Sequence, residues 1–206
     1  ATLFAREQVN LFGAGWSCIG RAEDVAEPGD YLTLVWAGYP LLLLRDHDGA
    51  LRVYHNLCRH RGTLLCSQVF GRLGKSIQCP YHAWTYSLEG CLTAARGMDA
   101  VPGFAREENG LLAVACREWE GFLWICPGPG LELEPPLQSV ATRFRAWDPG
   151  GLRRAARLEY EVAANWKLIV ENYSECYHCP LVHPALVRIS PADSGRNDLN
   201  HGPVLG

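Results

Sequence analysis

Two short pairs of metal-binding side chains stand out in this chain, Cys58-Arg-His60 and Cys79-Pro-Tyr-His82, separated by eighteen residues. Each pair offers one thiolate and one imidazole. A structural zinc site also takes two Cys and two His, but usual zinc modules pair Cys with Cys and His with His. Mixed pairs suit a binuclear [2Fe–2S] cluster, because each loop then gives one ligand to each iron. Neutral imidazoles in place of two thiolates leave less negative charge to oppose an added electron, so such a cluster is a one-electron carrier of raised potential. Arg59, Arg61, Trp84 and Tyr86 lie close enough in sequence to tune it or to be ordinary solvated charges and core aromatics. His47 and His55 fall outside the ligand spacing and read as turn and strand residues.

A second constellation lies in Asn165-Trp-Lys-Leu-Ile-Val-Glu-Asn-Tyr-Ser-Glu175-Cys-Tyr-His178, followed by His183. Two imidazoles and one carboxylate on one face of an octahedron are the common way to hold an Fe(II) that activates dioxygen. His178 and His183 offer the imidazoles. Glu175 precedes His178 by three residues, so on a helix the two share a face, and the carboxylate can accept the imidazole N–H and fix its tautomer. Asn172 falls on the same side. Late carboxylates are confined to Asp193 and Asp198.

Elements must position these residues. Glu7 to Phe12 reads as the end of a helix closed by Gly13 and Gly15. From Trp16 to about Cys126 the signals are of short antiparallel strands. Tyr31–Trp36 and Pro40–Leu44 flank Ala37-Gly38-Tyr39, and Asp46-His47-Asp48-Gly49 turns the chain into Leu51–Tyr54. Further strands are expected at 76–79, 85–87, 111–116 and 122–125. Cys126 to Pro136 is dense in Pro and Gly and reads as a linker. An Arg-rich strand is expected from Leu152 to Ala163. Apolar residues at 166, 169, 170, 173 and 177 predict a helix from Trp166 to His178, stopped by Pro180. The last twenty residues read as loop.

At 206 residues the chain is long enough for one large or two small cores. The net charge of −3 argues against nucleic acid or an anionic membrane as partner. The apolar run from Leu32 to Leu44 is broken by Gly38 and Pro40 and is too short to span a bilayer. No secretory signal is visible, and the nine Cys are odd in number. The expectation is a reducing cytoplasm, with two Cys as ligands and seven as mostly buried free thiols.

Together the two motifs resemble the α subunit of Rieske non-haem iron ring-hydroxylating oxygenases. The resemblance runs from Phe12-Gly-Ala-Gly-Trp16 through Asn56-Leu-Cys-Arg-His-Arg-Gly62 and Cys79-Pro-Tyr-His-Ala-Trp84 to His183-Pro184. It implies an α+β fold, a Rieske-type antiparallel β-domain followed by the truncated start of a helix-grip (START-like) catalytic domain. The corresponding segments are an N-terminal helical piece (1–15), the Rieske domain (16–130) and an incomplete catalytic domain (131–206).

The same resemblance implies that Cys58, His60, Cys79 and His82 hold the Rieske [2Fe–2S] cluster, and that His178 and His183 hold a mononuclear Fe(II). Glu175 takes the place of an acidic bridge between a neighbouring subunit's cluster His and an iron-ligand His, in a homotrimer. Electrons would come from NAD(P)H through a separate reductase or ferredoxin, to activate O2 and hydroxylate an aromatic or small catabolic substrate. Glu-Cys-Tyr-His-Cys, with Glu where aromatic-ring dioxygenases commonly carry Asp, is closer to the branch that oxidises choline, glycine betaine or carnitine. That makes monooxygenation or N-demethylation of a quaternary ammonium compound the alternative. The family's third, acidic iron ligand lies beyond His183 in sequence absent here, so the chain reads as the N-terminal portion of a longer protein. A Rieske ferredoxin, a pure electron carrier, would end near Ile125.

Overall fold

In the computed structural model, residues 2–98, 100–128 and 132–195 are described. Helices and antiparallel sheets are mixed, in two compact units. The first comprises Ala1–Glu134 with Arg143–Arg153, and the second Pro135–Thr142 with Arg154–Gly206. Among the described residues no helix is long and apolar enough to cross a membrane.

The first unit opens with helix α1 (Thr2–Glu7), continued by a π-helical turn over Gln8–Phe12. Ten short strands follow, β1 (Ser17–Arg21), β2 (Asp30–Trp36), β3 (Tyr39–Arg45), β4 (Leu51–His55), β5 (Phe70–Arg72), β6 (Ser76–Gln78), β7 (Thr85–Ser87), β8 (Leu92–Ala94), β9 (Ala115–Trp119) and β10 (Phe122–Cys126). They form three antiparallel sheets, ordered β1-β10-β9, β4-β3-β2-β5 and β6-β7-β8. The β2–β3 hairpin turns at Ala37 and Gly38, both at positive φ (49° and 83°), as a two-residue turn matched to strand twist requires. Glu120 and Gly121 close β9–β10 the same way (φ 48° and 71°). That turn is why the strand expected at 111–116 lies instead at Ala115–Trp119. Ala115 and Cys116 of the expected stretch do pair, in β9, while of residues 111–114 Ala113 alone is in a bridge, to Tyr54.

Strand β3 is central. Leu41 to Leu44 are all inaccessible to solvent, and period-two alternation sends Leu42 and Leu44 into one apolar cluster and Leu41 and Leu43 into another. The cluster containing Leu42 also holds Cys58, Cys79, Trp84 and Tyr86, so the sheet core and the floor of the first ligand pairs are one body. Arg21, stacked 4.4 Å from the Phe122 ring centroid, donates to the carbonyls of Glu120, Pro149 and Leu152 and ties residues 149–152 to the turn between β9 and β10.

Two expectations are corrected here. The Pro-Gly linker leads into helix α2 (Glu134–Phe144), whose prolines fall in its first turn, where the missing N–H costs nothing. The stretch from Leu152 to Ala163 has no regular structure: it is exposed throughout and pairs with no strand among the described residues. The second unit then holds α3 (Trp166–Ser174), α4 (Cys179–Val182) and α5 (Pro184–Val187). Asn165 caps α3, its side-chain oxygen accepting from Lys167 N at 3.0 Å.

Candidate metal centres

The first site is built from two loops. One leaves β4 and returns through an antiparallel bridge between Leu57 and Leu64; inside it Gly62 N donates to Cys58 O and Cys58 N to Thr63 O. Buried Asn56 holds this loop shut: its side chain donates to Cys66 O at 2.7 Å and accepts from Cys66 N at 3.0 Å. Sequence reasoning missed this residue, although a lone polar side chain where a strand meets a ligand loop is a usable signal. The second loop joins β6 to β7, with Ala83 N donating to Cys79 O and Cys79 N to Trp84 O. Gly62 at φ 68° and Ala83 at φ 56° let both loops turn tightly after their ligands.

These loops bring His60, Cys79 and His82 to one cleft, with Cys58 and Cys79 in the apolar cluster beneath it. Cys58 and Cys79 are buried, while His60 and His82 sit half-buried at the outer edge with ring centroids 4.8 Å apart. Trp84 stacks on His60 at 4.9 Å, with the rings 6° from parallel, and Phe104 packs edge-on against Trp84. His60 Nδ1 is buried with no hydrogen-bond partner among the described residues. An orphaned imidazole nitrogen beside two buried thiols is what a bound metal would satisfy. Burial, with His82 and Arg61 nearby, holds His60 below its usual pKa and thus neutral, the form in which imidazole ligates. Tyr86 adds a hydroxyl 3.3 Å from Cys58 Sγ, and that hydroxyl accepts Arg59 N–H at 3.1 Å. The residues therefore fit a binuclear cluster with buried sulfur and outer imidazole ligands. Arg59 and Arg61 side chains are exposed, His47 lies in a turn, and His55 packs edge-on against Tyr39.

The second site lies in the second unit. Helix α3 stops at Ser174, shorter than its apolar spacing predicts, and Glu175 is extended (φ −126°, ψ 163°). The shared helix face invoked for Glu175 and His178 is therefore not the cause of their contact. Glu175 instead folds over the turn that follows: Oε2 accepts Tyr177 N and Oε1 accepts His178 Nδ1–H, both at 2.5 Å. Capturing a backbone N–H two residues on competes with continuing the helix. His178 and then Tyr177 hold the Glu175 carboxyl below the ordinary carboxylate range.

His178 and His183 flank the single helical turn of α4, where Pro180 is tolerated early in the turn. Their rings approach to 5.2 Å at 77°, beside a cleft of about 750 Å³ that Asn172, Tyr173, Cys176 and Cys179 also line. With Nδ1 committed to Glu175, His178 has Nε2 left for a metal. No group of three or more His, Cys, Asp or Glu converges on one point among the described residues. A binuclear cluster needs only two ligands per iron, so the first site is unaffected; the second offers two imidazoles, with Glu175 occupied behind one of them. Asp193 is exposed and does not line the cleft, and Asp198 lies outside the described residues.

One cysteine expectation is corrected. The turn after Glu175 brings the Cα atoms of Cys176 and Cys179 to 5.0 Å, within disulfide range, and the two are bonded. Seven cysteines remain thiols, of which Cys18 and Cys91 are exposed rather than buried.

Residues 15–105 match the Rieske [2Fe–2S] domain, and residues 149–202 match the ring hydroxylating alpha subunit (catalytic domain). The chain is 37% identical over 185 residues to the carnitine monooxygenase oxygenase subunit of Acinetobacter baumannii, covering 88% of this chain and 50% of that protein. It is 35% identical over 190 residues to the glycine betaine monooxygenase oxygenase subunit of Chromohalobacter salexigens, covering 90% of this chain and 41% of the other. The chain thus spans about half the length of the curated relatives it matches.

Among solved structures, the quaternary ammonium Rieske monooxygenase CntA in complex with L-carnitine superposes with a TM-score of 0.81 at 35% identity. That match covers 95% of this chain and 54% of CntA. A mutant naphthalene 1,2-dioxygenase bound to phenanthrene gives 0.76 at 27% identity, covering 91% and 44%.

Proposed function

Because this chain belongs to the Rieske non-haem iron oxygenase α subunits, with the Rieske [2Fe–2S] cluster and mononuclear iron that family implies, we propose that it is the electron-receiving and iron-holding part of a quaternary ammonium monooxygenase. When bound, the cluster carries single electrons and the mononuclear Fe(II) activates dioxygen. Residues 16–130 form the cluster domain and 131–206 the start of a helix-grip, START-like domain. The exposed apolar positions of α3, Leu168, Ile169, Val170 and Tyr173, are what the remainder of such a domain would cover.

Cys58 and Cys79 hold the buried side of the cluster, and His60 and His82 its outer side. His178 and His183 hold the mononuclear iron, its third, acidic ligand coming from outside this chain. The carrying observation is the contact between Glu175 Oε1 and His178 Nδ1. It leaves Nε2 to ligate the metal and would keep a carboxylate behind that imidazole. Glu175 bridges to a cluster imidazole of a neighbouring subunit in a homotrimer, supplied by a separate NAD(P)H-dependent reductase or ferredoxin.

The relatives named above favour a quaternary amine over an aromatic ring as substrate, and Glu175 in Glu-Cys-Tyr-His-Cys agrees. The test is oxygen uptake by the full-length gene product with a reductase and NAD(P)H. Carnitine, glycine betaine and choline should support uptake coupled to an oxygenated or demethylated product, and naphthalene should not. Formation of a dihydrodiol from naphthalene, with none of the amines consumed, overturns the substrate class.

A further inference from the structure

We propose that Cys176 and Cys179 form a reversible, hydroperoxide-sensitive disulfide whose state sets how tightly His178 and His183 hold a metal. The inference rests on the proposed role of those two imidazoles. The two sulfurs bracket His178 in sequence, both residues line the cleft beside His183, and the bond joins the ends of the turn in which Glu175 grips His178. Cys176 is partly exposed and Cys179 is buried, the arrangement of an attacking and a resolving thiol.

In the first step the Cys176 thiolate attacks the hydroperoxide. The O–O bond breaks, an alcohol (water, for hydrogen peroxide) leaves with a proton, and Cys176 becomes a sulfenic acid. The Cys179 thiol then attacks that sulfur, forming S–S and releasing water. Two thiols are oxidised by two electrons and one peroxide is reduced. A dithiol reductant reverses the change by exchange.

The consequence is conformational. With the bond closed, Cys176 cannot move away from Cys179, so the four-residue turn is confined and Glu175 stays seated on His178. With the bond open, the turn regains freedom that metal binding must remove again. Closing so small a ring is equivalent to on the order of tenfold in an equilibrium constant. No other cysteine lies between Lys167 and Arg188, so one tryptic peptide, 168–188, reports the pair alone.

The experiment uses the whole chain with its cluster loaded, fully reduced or treated with one equivalent of hydrogen peroxide and then desalted. Mass spectrometry after alkylation should find peptide 168–188 two hydrogens lighter and unalkylated in the oxidised sample. In the reduced sample it should carry two alkyl groups. Each sample is titrated with Mn²⁺ alone, an ion with little affinity for thiols, and free Mn²⁺ is read by room-temperature EPR. The oxidised form should bind about tenfold tighter, the difference should vanish in Cys176→Ser, and His183→Ala should abolish the site in both forms.

A pair that stays alkylatable after peroxide overturns the inference and leaves the proposed function standing. So does a disulfide that forms without changing Mn²⁺ affinity. Absence of any Mn²⁺ binding sensitive to His183→Ala, in either state, overturns the two together.

Discussion

Replacing Tyr86 by Phe removes one oxygen atom from beside Cys58, a proposed cluster ligand, and the geometry says which way the redox potential should move. Tyr86 is inaccessible to solvent, and its oxygen lies 3.3 Å from Cys58 Sγ while accepting Arg59 N–H at 3.1 Å. Burial, and then the bond to Cys58, push the phenol pKa well above its ordinary value, so the group is neutral and keeps its proton. As a proposed cluster ligand Cys58 would accept only, which would turn the phenol proton toward sulfur. Reduction adds an electron that spreads onto the ligand sulfurs and strengthens that bond. A hydrogen bond to a charged group is worth about 1.5–3 kcal/mol. The bond exists in both redox states, so only its increment counts, roughly 0.5–1.5 kcal/mol. For a one-electron couple that is about 20–65 mV.

Tyr86→Phe should therefore lower the potential by that amount. The Arg59 N–H loses its acceptor in this part-buried contact, which should cost about 1–3 kcal/mol in stability. The assay is an EPR-monitored redox titration of the reconstituted chain, with the optical spectrum as a check that the cluster is intact. A potential that is unchanged or higher refutes the argument.

Further outcomes follow from other contacts in the structure. Glu175→Gln in the full-length protein should cut oxygenase turnover by on the order of 10–100-fold and leave the cluster spectrum intact, because the anionic acceptor behind His178 is gone; undiminished turnover under the same reductase contradicts this. Asn56→Ala strands both backbone groups of Cys66 and should cost about 2–3 kcal/mol in urea unfolding, with cluster loading falling in parallel. Gly90 sits at φ 88°, where an added Cβ would meet the Tyr54 ring at 2.6 Å, so Gly90→Ala should destabilise by at least about 2 kcal/mol, read as a lower melting temperature.

Asp46→Asn carries a pH signature. Burial alone would raise the Asp46 carboxyl, but Arg52 and the N–H groups of Ala50 and Asp48 outweigh it and hold it below the ordinary value. A depressed carboxylate stabilises the fold above its unfolded pKa, near ~3.9, and loses that contribution as pH falls through its folded value. The urea midpoints of wild type and variant should differ most at neutral pH and converge below about pH 4. A gap that persists undiminished at pH 3 would show that the stabilisation is not electrostatic.

The features legible in the sequence were those set by neighbours a few positions apart. The candidate ligand pairs were visible because each needs only a loop between strands, which is where the fold puts them, and the β2–β3 hairpin because Ala37-Gly38 carries its own turn geometry. Leu152–Ala163 reads as a strand because its apolar residues alternate in part, yet a strand exists only where a partner pairs with it, and none of the described strands does. Helix α2 was hidden by Pro135 and Pro136, which act as breakers in a helix interior but as starters in the first turn. Parity misled the cysteine count: nine Cys are odd, but one bonded pair leaves seven, so an odd total excludes nothing. Tyr86 was visible as a neighbour of Cys79, while its bond to Cys58 crosses 28 residues and needs the β-fold.

The pairing of Glu175 with His178 shows where such reading is robust. It was expected on a helix face, and the helix ends before Glu175. The contact forms anyway, because a side chain as long as Glu reaches a residue three positions on through a turn as readily as along a helix. What changes with the path is everything else the carboxylate can touch. On a helix its second oxygen would face solvent; in this turn it holds Tyr177 N, and both oxygens are engaged within the loop. The proposed bridge from Glu175 to a neighbouring subunit would therefore share an oxygen that already accepts a hydrogen bond. A carboxylate oxygen has two lone pairs, so Oε2 can accept a second imidazole N–H without releasing the first bond. The prediction is that His178 keeps its tautomer whether or not the neighbour is docked. Nitrogen-15 chemical shifts of the His178 ring, compared between the isolated chain and the assembled oligomer, should show Nδ1 protonated in both.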